Sequence, residues 1–149
     1  MRLKVEVQGL RELDWALGQL PKATGKNVLR RTLMEAGWPM ADRYAGTVRR
    51  NFGDLAESTT VSTKLSRAQR SAHVKKSTVE MFVGPGPYVQ AITEEFGTLD
   101  QQPQGAMRAA WDAEKRPALE TITTALADEI EKARKRIARK AARALKAAQ

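Results

Sequence analysis

The chain predicts an α+β fold: a small antiparallel sheet packed with two N-terminal helices and a long C-terminal basic helix. Three observations carry this. Two Thr/Val-rich stretches alternate with period two, two N-terminal stretches carry helical apolar stripes, and an Ala/Leu/Glu/Lys/Arg-rich run fills the last thirty residues or so. With 149 residues and 42% hydrophobic content, the core suffices for one domain over 1–130. Residues 131–149 are then a basic extension of the last helix.

In chain order, Leu3, Val5 and Val7 alternate with polar residues as in a short strand, which Gly9 ends. Leu10, Leu13, Leu17 and Leu20 form one stripe of a first helix that stops at Pro21. From Lys22 to about Arg50, a second helix places Val28, Leu29, Leu33, Ala36, Met40, Ala41, Tyr44 and Val48 on one side. Pro39 predicts a kink or break near Gly37 and Trp38. A turn is expected at Asn51, Phe52, Gly53 and Asp54, followed by strands over 57–65 and 78–83. Between the strands, 66–77 is basic and poor in large apolar groups, and is expected to be an extended, mobile loop.

Gly84, Pro85, Gly86 and Pro87 make a turn; the lysine and helix opening of a phosphate-binding glycine loop are missing. Residues 88–98 read as a short helix or an irregular strand, and 99–105 as a polar connection. A short helix with Met107 and Trp111 is expected over 106–113. A separate long helix should start at Pro117, a residue suited to a first helical position. Its apolar positions Leu119, Ile122, Leu126, Ile130, Ala133, Ile137, Ala141 and Ala144 step by 3, 4, 4, 3, 4, 4, 3. That is an eleven-residue repeat, and its stripe runs almost straight along the helix. At ~1.5 Å per residue the helix reaches about 45 Å. Beyond Ile137 only alanine continues the stripe, so the outer half needs a neighbour or frays.

Composition excludes whole classes of chemistry. There is no cysteine, hence no disulfide, thiol catalysis or thiolate metal site. His73 is the single histidine and reads as an exposed loop residue. The adjacent Glu94 and Glu95 point in different directions on either a helix or a strand, and no second acid cluster accompanies them. No enzymatic activity, cofactor or metal is expected. No apolar run of membrane-spanning length and no secretory leader at Met1 occurs, so the product is expected to fold and stay in the cytoplasm of the cell that makes it.

Net charge is +9, and its placement is uneven. From Glu131 onward, Lys132, Arg134, Lys135, Arg136, Arg139, Lys140, Arg143 and Lys146 stand against one acid, a local +7 that leaves +2 for everything else. Such a helix suits an acidic protein neighbour, a solvated face or a phosphate backbone. No aromatic residue is interleaved for base stacking.

Several short motifs occur in a telling order: Val5-x-Val7-x-Gly9-Leu10-x-x-Leu13 with Leu20-Pro21, then Gly53-Asp54-Leu55-Ala56-Glu57-Ser58. Further on come Gly86-Pro87-Tyr88, Glu94-Glu95-Phe96-Gly97-Thr98, and Gln102-Pro103 with Met107, Arg108, Ala109 and Ala110. This order resembles the phage gene-ten-like tail-component family, small neck and tail-completion proteins of long-tailed bacteriophages. The chain departs from the pattern at Phe52, at 104–106 and at Ala109, where the family favours threonine, phenylalanine and proline. The resemblance implies a structural virion protein, a head–tail connector that assembles as a homo-oligomeric ring, a hexamer, where the tail tube meets the head. It also implies neighbouring neck and tail-tube proteins as partners, and genomic DNA passing through the channel. A tail terminator or an assembly factor in the same particle fits equally, and a basic nucleic-acid-binding protein is the reading from another class. On the ring reading, Tyr88, Glu94, Glu95, Phe96, Gly97 and Thr98 are the candidate interface. The eight cations of the C-terminal helix would then face a neighbour or the DNA.

Overall fold

The structure is a computed structural model and describes residues 10–49 and 53–147. The strand expected over 3–7 and the turn residues Asn51 and Phe52 lie outside the described residues. The rest is α+β and mostly helical: α1 (Leu10–Gly18), α2 (Lys22–Thr47), α3 (Gly53–Glu57), β1 (Thr60–Ser62), α4 (Arg67–Ala72), β2 (Phe82–Gly84), α5 (Val89–Phe96) and α6 (Ala106–Ala147).

The body is an antiparallel pairing of α2 with the first half of α6. At one end Met40, Tyr44 and Val48 of α2 meet Ala106 and Ala110 of α6, with Leu55 of α3 beside them. At the other end Val28 meets Leu126, Ile130 and Ala133, with Leu20 and the α1 residues Leu13, Ala16 and Leu17 closing over them. The α1 stripe and the apolar side of α2 are therefore used as their spacing predicts.

The expected break at Pro39 does not occur, and α2 is continuous through it. Pro39 cannot donate to the carbonyl of Glu35. Both residues lie on the exposed side of the helix, where the orphaned carbonyl is open to solvent. Pro117 behaves alike: α6 does not start there but at Ala106, and the two separate helices expected are one helix of 42 residues, about 63 Å at ~1.5 Å per residue. Pro117 and Ala113, whose carbonyl loses its donor, are again on the exposed side. Burial along α6 ends at Ala133, shortly after the boundary at 130, and the helix passes that boundary unbroken.

The two strands pair antiparallel, with Thr60 opposite Gly84, Val61 opposite Val83 and Ser62 opposite Phe82. They are shorter than their alternation predicts, for local reasons. Residues 53–57 form α3 rather than the second half of a turn. Ser58 and Thr59 turn their hydroxyls back onto the carbonyl of Leu55, at 2.8 and 3.2 Å, which holds them out of the ladder. The sheet lies against α2 at Gly37, where an added Cβ would sit 2.8 Å from Val61 and 3.1 Å from Val83. That close approach, not a hinge beside Pro39, accounts for the glycine.

The expected mobile loop over 66–77 contains α4, closed by a capping box. Ser66 Oγ accepts from Gln69 N at 3.3 Å, and Gln69 Oε1 accepts from Ser66 N at 3.1 Å. The remainder is gathered by Glu80, whose carboxylate accepts from the backbone N–H of Lys76 at 2.7 Å and of Ser77 at 3.2 Å. His73 Nε2 lies 2.8 Å from the same carboxylate, and its ring meets Phe82 edge-on. The Lys76 N–H, then the imidazole, hold the Glu80 carboxyl below its ordinary value. His73 is thus a tethered residue at the foot of β2, not a free one.

Candidate functional site

Residues 88–98 form a helix whose sides are reversed from the usual arrangement. At 100° per residue, Val89, Ile92 and Phe96 share one side of α5, and Ala91, Glu94 and Glu95 share the other. The apolar side faces out: Val89 is 73% exposed, Ile92 62% and Phe96 67%, and Tyr88 and Leu99 extend the bare surface at either end. The carboxylates face in. Glu94 is 0% exposed, the most buried ionisable side chain among the described residues.

The inward acids explain the Glu-Glu-Phe-Gly-Thr run. The Glu94 backbone carbonyl accepts from Gln104 N at 2.8 Å and Gly105 N at 3.2 Å, folding the 99–105 connection over the end of α5. Its carboxylate Oε1 lies 3.6 Å from Arg49 Nε and accepts from Gln101 Nε2 at 3.4 Å. Arg49 reaches onward to the Gln102 carbonyl at 3.3 Å. Gly97 turns this corner at φ +77°, and a Cβ there would meet Gln101 O at 2.6 Å and Pro103 N at 2.8 Å, so only glycine fits. Thr98 N donates to Gln101 O at 2.9 Å and closes the turn.

Glu95 has a different task. Its two carboxylate oxygens accept from Met107 N at 2.8 Å and Arg108 N at 3.2 Å, the orphan donors in the first turn of α6. A negative charge there also complements the helix dipole. Both carboxylates, after burial itself, push the Tyr44 hydroxyl up to about 12, Glu95 more than Glu94. Of the six residues proposed for an interface from sequence, Tyr88 and Phe96 present large exposed side chains. Glu94 and Glu95 hold the segment from beneath, and Gly97 and the exposed Thr98 shape the turn at its end. Val89, Ile92 and Leu99 belong to the same surface and were missed. The spacing of 89, 92 and 96 carried the signal, but an apolar stripe is ordinarily assigned to the core.

A second apolar surface is concave. A groove of about 580 Å³ runs between α2, β2 and α6, lined by Leu33, Met40, Met81, Val83, Met107 and the partly exposed Trp111 among others.

The eight cations of the C-terminal helix all lie exposed on α6, at or beyond the point where burial ends. Lys132 pairs with Glu129 at 3.2 Å, and Lys135 with Glu131 at 3.6 Å. Past them the helix carries no acid. Ile137 and Leu145 are exposed beside the alanines, so the apolar stripe continues past the body with none of the described residues packed upon it.

Among the described residues no cluster of His, Asp or Glu has the makings of a metal site, and no helix is long and apolar enough to cross a membrane. Set against family models, curated proteins and solved structures, the chain matches none.

Proposed function

We propose that this chain is a non-enzymatic structural subunit of a tailed bacteriophage, one that joins copies of itself in a six-membered ring at the neck, where tail tube meets head. Two lines support the reading. One is the order of motifs along the chain. The other, which carries most weight, is α5: a helix that turns two carboxylates inward, Glu94 buried and Glu95 partly so, and exposes its apolar side is arranged for a surface that another protein covers. Taking ~150–250 Å² for a large side chain, the exposed parts of Tyr88, Val89, Ile92, Phe96 and Leu99 amount to roughly 600 Å². That approaches the ~800 Å² that one partner brings to a standard interface.

A ring needs two unlike faces that fit each other, because a heterologous contact closes by rotation. The convex α5 surface and the concave groove at Trp111 are two such faces of matching chemistry on one chain. In a particle the ring would also touch neck and tail-tube proteins. A tail terminator or an assembly factor would use the same surfaces and differ only in its place in the particle.

The test is the mass of the purified protein in solution, alone and with Ile92→Asp and Phe96→Asp together. A closed oligomer that the double variant reduces to monomer, with thermal stability kept, is expected. A wild-type chain that stays monomeric at every concentration, in a phage whose particles assemble without it, overturns the reading.

A further inference from the structure

The outer part of α6 sorts its cations onto one side, and from this we infer that it is a binding track for the phosphate backbone of duplex DNA. At ~100° per residue, Arg136, Arg139, Lys140, Arg143 and Lys146 fall within an arc of about 120°. They span ten residues, about 15 Å of helix axis. Arg134 stands on the opposite side. Lys132 and Lys135 fall at the inner end of the track, each paired with an acid. The outer five are paired with no acid among the described residues, and each is exposed.

Charge geometry favours DNA over a protein neighbour. Protein interfaces concentrate apolar and aromatic groups at their centres, where arginine stands among them and unrelieved charge is rare. This arc holds no apolar side chain larger than alanine and no aromatic group. Ile137 and Leu145 lie away from it, toward the alanine stripe. A one-sided band of charge instead matches a duplex backbone, which presents one phosphate per ~3.4 Å of duplex axis on each strand, about four over the length of the track. With no aromatic group to stack on bases and no amide side chain in the arc to read their edges, the contact is independent of sequence. The inner half of the same helix, 106–130, carries five acids against three cations, so the basic character belongs to the projecting part alone. The inference does not depend on how the chain assembles.

Binding of the full chain to a fluorescent duplex, measured across salt concentrations, tests it. A log–log slope of about −4 is expected, at roughly 0.9 per phosphate neutralised, with equal affinity for duplexes of different sequence. Replacing Arg136, Arg139, Lys140 and Arg143 by Gln should flatten most of that slope and weaken binding roughly 100-fold at low salt. Arg134→Gln on the other side should leave both within about twofold, apart from its one unit of net charge. Circular dichroism of each variant guards against loss of the helix. No salt-dependent binding, or equal loss per charge from Arg134→Gln and from the track, overturns the inference and leaves the cations to an acidic protein. The Ile92→Asp, Phe96→Asp chain, run in parallel, keeps the two proposals apart. DNA binding retained in a monomer supports the track whatever becomes of the ring, and a ring that does not bind DNA removes the track alone.

Discussion

The two halves of α6 are the same helix under opposite rules. From Ala106 to Ala133 its apolar positions are buried against α2 and α1, and its first turn is capped by Glu95. Beyond Ala133 the spacing continues, yet Ile137 and Leu145 are uncovered and the charge turns wholly basic. A helix in water gains most of its stability from packing one face, so the inner half is the fold and the outer half a device supported by it. The same contrast recurs within α5, whose inner side holds the connection to α6 and whose outer side is bare. The molecule separates what stabilises it from what it shows to others.

Substitutions should obey that separation, most strongly inside. Leu126→Ala removes a side chain 6% exposed at the α2–α6–α1 junction and should cost about 3 kcal/mol, read by urea unfolding. Ile137→Ala, three turns further along the same stripe, should cost a small fraction of that, and equal costs would mean that the outer half is covered within the chain. Next in size is an alkaline effect at Tyr44, which is 2% exposed. Its hydroxyl is held neutral up to about 12, whereas in the unfolded chain it ionises near 10. The folded form therefore keeps a proton that the unfolded form has lost, and stability present below pH ~10 falls as the pH rises toward 12, by on the order of 2 kcal/mol. Tyr44→Phe should remove this share of the alkaline loss in a comparison of unfolding midpoints from pH 9 upward.

Legibility in the sequence followed the same division. Stripes that end up buried, in α1, in α2 and in α6 as far as Ala133, were readable because periodicity and burial agree there. Pro39 does not break α2 and Pro117 does not start a helix, because each lies with the carbonyl it orphans on the exposed side, and exposure cannot be read from the residue itself. The Ser66-x-x-Gln69 capping box is a local signal that the reading of 66–77 as a loop passed over because its surroundings are so polar. In α5 the pattern left helix and strand open and gave no sign of which side faces in. Tertiary neighbours, Arg49 above all, decide that Glu94 is the buried one.

Smaller effects sharpen the comparison. Glu95→Ala should cost about 1 kcal/mol through loss of the cap on α6, visible as a lower thermal midpoint and faster amide exchange at Met107 and Arg108. Removing residues 138–149 should change stability by less than about 0.5 kcal/mol, since no described side chain there is buried, while weakening DNA binding about as much as the four glutamine substitutions. A large loss of stability on that truncation would show the outer helix to be part of the fold.

The absence of cysteine allows a direct test of whether α5 is covered in an assembled particle. Thr93→Cys sets a partly exposed thiol at the edge of the apolar side, next to Val89 and Phe96, and Ser71→Cys on the exposed α4 serves as reference. Maleimide labelling should reach both thiols in the dilute subunit and, once particles have formed, the reference thiol alone. Equal labelling of Thr93→Cys before and after assembly would contradict an α5 surface made to be covered.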